Sequence, residues 1–213
     1  MRWLVVGLGN PGLQYERDRH NAGFHVIDAL SVALGLTTSH HGYQSEFFEA
    51  RLGETDVILV KPHTYMNLSG EAVAPLAHHY QVPPERILVV HDELEIPLGR
   101  LKLKKGGGEA GHRGLLSLSH ELETRLYPRL RFGIGRPSDP TISIPDYVLH
   151  PPSSDEEELW EASVQQAVAV TRSCVEDGVA AAMNQWNGRR ISVPTDEIDS
   201  QEPPTGNSPS GEK

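Results

Sequence analysis

The sequence predicts an α/β fold: a single domain with a twisted, mostly parallel or mixed central sheet flanked by helices. Three observations carry this prediction. Short apolar runs that end in glycine or polar residues, RWLVVGL (2–8) and ILVVHDE (87–93), have the pattern of buried strands. Between them, apolar residues recur at three- and four-residue spacing, the mark of a helix with one buried face. The two kinds of segment alternate along 213 residues, a length suited to one domain with its own core.

Taken in order, Phe24, Ile27, Leu30 and Leu34 place a helix over 21–35, with Asn21 as its cap and Gly35 as its stop. Strand-like runs follow near 46–52 and 56–61. Pro62 opens a loop, after which Asn67 or Ser69 caps a helix reaching about Tyr80. Pro83 and Pro84 separate that helix from the strand at 87–93. RLKLKK (100–105) alternates charged and apolar residues, as a half-exposed strand does, with Arg100, Lys102 and Lys104 on one face. GGGEAGHRG (106–114) is a glycine-rich loop, followed by a helix to about Leu126. RLRFGIG (129–135) alternates again, and 155–188 reads as two helices parted near Gly178. From Ile191 onward the chain is rich in Pro, Ser, Gly and acid, with too little apolar surface to offset its ordering entropy. The folded domain is therefore expected over 1–190, with an acidic disordered tail over 191–213.

Composition narrows the class. Apolar residues make up 38% and charged residues 23%, with a mean hydropathy of −0.39, which excludes a wholly disordered chain. No run approaches the ~18 apolar residues of a membrane helix. The start, MRWLVVGLGNPG, lacks the long apolar stretch and small-residue cleavage site of a signal peptide. A soluble cytoplasmic protein is expected. Cys174 is the single cysteine, so an internal disulfide and a cysteine-rich metal site are excluded. The net charge of −10 is unevenly spread: residues 1–150 hold 15 basic and 17 acidic residues, and residues 151–213 hold 4 and 12. The N-terminal body is thus near neutral with local basic clusters, and a nucleic-acid partner is not excluded.

Ligands of open α/β sheets bind beyond the carboxyl ends of strands. Polar residues gather at three such places: Asn10 and His20 after the first strand, Asn67 after the 56–61 strand, and His91-Asp92-Glu93. An imidazole near its ordinary pKa of ~6.5 can take a proton from water at neutral pH, provided its other nitrogen is oriented by an acceptor. His20 fits this description, with Asp92 as the best orienting acid and Glu93 and Glu95 as weaker rivals. Gly7, Gly9 and Gly12 match a dinucleotide fingerprint, but that site needs a helix starting within the glycines. Here the helix begins only near residue 21, which disfavours a nucleotide cofactor. G-x-S-x-G is absent, so activated water is simpler than a covalent nucleophile. The adjacent pairs His40-His41 and His78-His79 cannot face one another on a helix, H-E-x-x-H is absent, and no metal is expected. Basic residues concentrate at Arg100, Lys102, Lys104 and Lys105, and at Arg125, Arg129, Arg131 and Arg136. They read either as a solvated strand face or as a grip on a phosphate backbone, to which the amides of 106–108 could add donors.

Four segments carry a resemblance: VVGLGNPGLQYERDRHNAGF (5–24), KPHTYMNLSGEAV (61–73), VVHDELEIPLGRLKLKKGGGEAGHRG (89–114) and RLRFGIGRP (129–137). Together they resemble bacterial-type peptidyl-tRNA hydrolases over most of 1–150. The resemblance implies cleavage of the ester between a peptide and the 3′ end of tRNA, without metal or cofactor, by a monomer. It implies that His20 activates water and Asp92 supports it. Asn10 and Asn67 would position the substrate, Tyr15 and Met66 would line the cleft, and His112 and Arg113 would touch substrate. Lys104 and Arg131, with Lys105 beside them, would hold a tRNA phosphate. One departure stands out: the family commonly shows His-Asn-Gly where this chain has His112-Arg113-Gly114. An asparagine donates and accepts, whereas Arg113 only donates. The rival expectation is an RNA-binding protein on the same scaffold that has given up catalysis; the full set Asn10, His20, Asn67 and Asp92 favours the enzyme.

Overall fold

The computed structural model describes residues 1–192. Among these, seven strands form one sheet: β1 (Arg2–Gly7), β2 (His40–Gly42), β3 (Ser45–Leu52), β4 (Thr55–Pro62), β5 (Ile87–Glu93), β6 (Leu101–Lys104) and β7 (Arg129–Gly133). Their spatial order is β2-β3-β4-β1-β5-β7-β6. The central strands β4, β1, β5 and β7 run parallel, and β2, β3 and β6 pair antiparallel at the two edges. The sheet is mixed and flanked by helices, as expected: α1 (Ala22–Ala33), α2 (Ser69–His79), α3 (Arg113–Glu121), α4 (Ile144–Val148), α5 (Glu157–Glu176) and α6 (Val179–Trp186).

Strand periodicity explains the two cores. Val5, Leu88, Val90 and Phe132 face α1 and α5, where they meet Ile27, Leu30, Trp160 and Val164. Leu4, Val6, Ile87 and Val89 face the other way, onto Val73 and Leu76 of α2 and Leu115 and Leu118 of α3. With helices on both faces, β1 and β5 are apolar without alternation, as a buried parallel strand must be.

One contact sets the site. A Cβ on Gly7 would lie 2.2 Å from the Gly23 carbonyl oxygen, and one on Gly23 would lie 2.2 Å from Leu8 N. The start of α1 therefore rests directly on the end of β1, backbone on backbone. The segment between them makes two 3-10 turns, Leu13–Tyr15 and Arg19–Asn21, before the helix begins at Ala22. This late start is the geometry that disfavours a dinucleotide at the three glycines. At the other end of α1, Gly35 takes φ 65° and Leu36 N–H donates to Ser31 O, closing the helix as expected.

Several expectations are corrected. Asn21 makes no capping bond with its side chain; that side chain serves Asn10 instead. The third helix ends at Glu121 rather than near Leu126, because Glu123 turns to φ 52° and Leu126 points to solvent, 67% exposed. β2 and α4 carry no sequence signal, being a His-His-Gly edge strand and a five-residue helix containing Pro145. Arg100 lies just before β6 and bridges to Arg190, and the alternation of exposed Arg100, Lys102 and Lys104 with buried Leu101 and Leu103 puts the three basic residues on one face, as expected. Ile191, placed at the start of the tail, donates to Gly99 O at 2.9 Å and packs on the core. Residues 193–213, which hold most of the expected tail, lie outside the described residues. No described helix is long and apolar enough to cross a membrane.

Candidate active site

The ends of β1 and β5, the turn after β4 and the loop before α3 converge on a cleft of about 660 Å³. Asn10, Tyr15, His20, Met66, Asn67, Asp92, His112 and Arg113 all line it, so eight residues picked from sequence meet in one place. His20 sits on the 3-10 turn before α1. Its neighbour Arg19 fastens that turn to the segment before α5: the guanidinium donates to His150 O at 3.2 Å and Pro151 O at 2.5 Å. It also pairs with Glu156 at 2.6 Å and lies over the Tyr147 ring.

The centre is a three-residue relay. His20 Nδ1 lies 2.8 Å from Asp92 Oδ1, and His112 Nε2 lies 3.0 Å from the same oxygen. Two further contacts set the tautomers. His112 caps α3, its Nδ1 accepting from Leu115 N–H at 3.4 Å, so the proton must sit on Nε2 and point at Asp92. A carboxylate oxygen accepts, so His20 Nδ1 donates to it and leaves Nε2 bare, on a ring that lines the cleft with 15% of its side chain exposed. Asp92 is buried, but the positive character of His20 and His112 and their two hydrogen bonds outweigh burial and hold its carboxyl well below the usual range. For His20, burial and the Arg113 charge oppose protonation. The Asp92 carboxylate, with Asp18 behind it, outweighs them, and the net shift is upward from 6.5.

Among the described residues, His20, Asp92 and His112 are the group whose ligand atoms could hold a metal, lying within 4.8 Å of one another. The cap argues for a hydrogen-bond relay instead: a metal on His112 Nε2 would send the proton to Nδ1, against Leu115 N–H. His112, expected to touch substrate, is therefore also a positioning residue for Asp92. His91 stands edge-on behind it, ring centroids 4.9 Å apart, and donates from Nδ1 to the Asp92 carbonyl oxygen at 2.7 Å. Burial, the first cause, and the nearby His112 push its pKa down to about 3, so it is a neutral prop.

Asn10 is oriented just as firmly. Asn21 Oδ1 accepts from Asn10 N–H at 2.8 Å and Asn21 Nδ2 donates to Asn10 O at 3.0 Å. Asn10 Oδ1 then accepts from Met66 N–H at 2.8 Å. With the oxygen engaged, the Nδ2 donors remain for the cleft. Asn21 had a sequence signal, a polar residue at a helix start, but the wrong role is read from it. Leu94, Ile144, Pro145, Val148 and Leu149 add an apolar wall to the lining of the cleft. The α4 part of this wall was missed because one short turn of helix has no periodicity to detect.

The basic residues are less united than their spacing suggests. In the β6–β7 ladder, Lys102 pairs with Arg131 and Lys104 with Arg129, so Lys104 and Arg131 are diagonal neighbours on one face. Arg131 is bonded to Glu93 at 2.8 Å. Arg129 is buried, donating to Gly108 O and Arg125 O and lying over the Tyr127 ring, so it braces the glycine loop. Within that loop, Gly107 N–H already donates to Arg125 O, which removes one of the amides expected to meet phosphate. Lys105 lines a depression separate from the cleft, with Glu85, Leu126 and Asp177.

Comparison with known proteins gives a consistent result. The family description "Peptidyl-tRNA hydrolase" matches residues 4–194. The chain is similar to the peptidyl-tRNA hydrolase of Moorella thermoacetica, 47% identical over 185 residues, covering 86% of this chain and 97% of that one. It is similar to that of Alkaliphilus metalliredigens, 40% identical over 87% of this chain and the whole of the other. A crystal structure of the Acinetobacter baumannii peptidyl-tRNA hydrolase superposes with a TM-score of 0.82 at 37% identity, covering 88% of this chain and 95% of that one. The strand-end relay therefore lies in a chain that belongs to the peptidyl-tRNA hydrolases, a family of ester-cleaving enzymes.

Proposed function

We propose that this protein hydrolyses the ester joining a peptide, or an N-blocked amino acid, to the 3′ end of tRNA, with water activated by His20 and no covalent enzyme intermediate. The observation that carries the mechanism is the relay from His112 through Asp92 to His20, which leaves one bare imidazole nitrogen on the cleft wall. His20 Nε2 takes a proton from water as its oxygen attacks the ester carbonyl. The imidazolium that forms is stabilised by the Asp92 carboxylate 2.8 Å away. Asn10 Nδ2 donates to the oxyanion that develops on the carbonyl oxygen. When the tetrahedral intermediate collapses, His20 returns the proton to the leaving ribose oxygen, giving free tRNA and a carboxylate. Tyr15, Met66 and Asn67 hold the ester and the terminal nucleotide, the apolar wall receives the peptide, and Lys104 and Arg131 meet a tRNA phosphate. No metal or cofactor enters these steps. One chain supplies every residue named, so a monomer suffices, and a substrate made by translation places the work in the cytoplasm.

The test is incubation with N-acetylaminoacyl-tRNA. The expected products are free tRNA and N-acetyl amino acid. His20→Ala should lower turnover by about 10³-fold while tRNA affinity stays within about threefold. Retained turnover would remove His20 from the mechanism, and binding without release by the wild type would identify an RNA-binding protein instead.

A further inference from the structure

The charges around the cleft can be accounted for one by one. Among the described residues lining it, Asp92 is held by two histidines, Glu93 by Arg131, Glu109 by Arg125, and Arg136 by Glu95. Arg113 is left over. It lines the cleft, is exposed at the rim, and forms no ion pair or hydrogen bond with the described residues. Its position makes this a cost. Arg113 is the first residue of α3, where the helix dipole is positive and a cation is disfavoured. Two acids in the same cleft, Glu93 and Glu109, each take an arginine from elsewhere in the fold, so the fold leaves this guanidinium uncompensated.

We propose that Arg113 grips the phosphodiester adjoining the 3′-terminal ribose of the tRNA, a contact separate from the Lys104–Arg131 face. The inference rests on the ester-hydrolase reading above and deepens it. The substrate's own chemistry selects the anion. The peptide's terminal carboxyl is esterified and neutral, so the fixed negative charge nearest the scissile bond is the phosphodiester one nucleotide back. Exposure on the rim suits a group outside the reacting centre. A guanidinium offers phosphate two parallel donors, which an asparagine amide cannot match in charge or geometry. Arg113 therefore does work here that the family's usual asparagine does not, and leaves the water to His20. Its charge also opposes protonation of His20, and neutralising it with phosphate would relieve that opposition as substrate binds.

Two substrates separate the possibilities: N-acetylaminoacyl-tRNA, and the N-acetylaminoacyl ester of adenosine, which keeps the ester and ribose but has no phosphodiester. Arg113→Gln should raise KM for the tRNA substrate about tenfold, with kcat within about threefold. The slope of log affinity against log salt should flatten by about 0.7. Arg113→Lys should recover most of the slope and only part of KM. On the adenosine ester, assayed on the alkaline plateau where His20 is neutral in both proteins, Arg113→Gln should show no tenfold rise in KM, with kcat again within about threefold. A fall in kcat of similar size on both substrates would place Arg113 at the reacting carbonyl and overturn the proposal, and so would an unchanged salt slope. If the wild type cleaves neither substrate, the hydrolase reading fails; the salt slope of tRNA binding by wild type and Arg113→Gln still decides the phosphate contact.

Discussion

Replacing Asp92 with asparagine removes the relay's charge and keeps its shape. The asparagine carbonyl still accepts a hydrogen bond, so His20 keeps a partner for Nδ1, but the imidazolium formed during attack loses its counter-charge. The donor and acceptor atoms are 2.8 Å apart. Charge centres about 4 Å apart, at an effective dielectric of about 20, interact by roughly 4 kcal/mol. At 1.36 kcal/mol per tenfold, the upper bound on the loss in kcat is about 10³, and the surviving dipole of the amide reduces it toward about 10². The pH profile carries a second signature. His20 must be neutral to accept a proton, and in the wild type its pKa lies above 6.5, so activity falls as pH drops through a midpoint above that value. In Asp92→Asn, burial and the Arg113 charge remain, opposed only by the more remote Asp18, while the bonded carboxylate is gone. The midpoint should then move down from its wild-type position, and relative activity on the acid limb should rise even as the plateau falls. The assay is kcat for N-acetylaminoacyl-tRNA from pH 5 to 9. A loss under tenfold, or an acid limb that does not move, would refute the view that Asp92 acts through its charge on His20.

Two other expectations are independent of this one. Lys104→Ala with Arg131→Ala should weaken tRNA binding and reduce its salt slope by about 1.4, since each phosphate contact on a single strand contributes about 0.7; filter binding across salt concentrations reads it, and an unchanged slope moves the tRNA path elsewhere. His91→Phe should lessen acid lability. The His91 pKa is pushed down to about 3 in the fold, against ~6.5 when unfolded. The unfolded state therefore binds more protons between those values, and stability is lost as pH falls through that window. The variant should show a smaller drop in unfolding free energy between pH 7 and pH 4.5 by urea titration; an equal drop would show that His91 is not the group being protonated.

Much of the site could be read from the chain because strand ends announce themselves. Asp92 ends an apolar strand where a carboxylate has no packing reason to be, and Asn10 and His20 lie just past another. What the sequence hid was orientation. Asn21 looks like a cap and is a clamp on Asn10, because a polar side chain at a helix start can turn either way. His112 looks like a substrate contact and also props Asp92, which depends on a helix-cap bond 20 residues beyond Asp92 itself. Arg129 and Arg131 alternate on one strand face and still differ: one is buried under the glycine loop and one is tied to Glu93. Spacing gives the face of a strand, whereas the partner across space decides whether a cation is free.

The bare backbone crossing of Gly7 and Gly23 has a practical consequence for engineering. Neither position carries a side chain, so libraries that vary core side chains for heat resistance have nothing to vary at this contact. One methyl group added at either glycine is the opposite tool: it would wedge the turn away from the sheet and detune the enzyme while every reacting atom keeps its chemical identity.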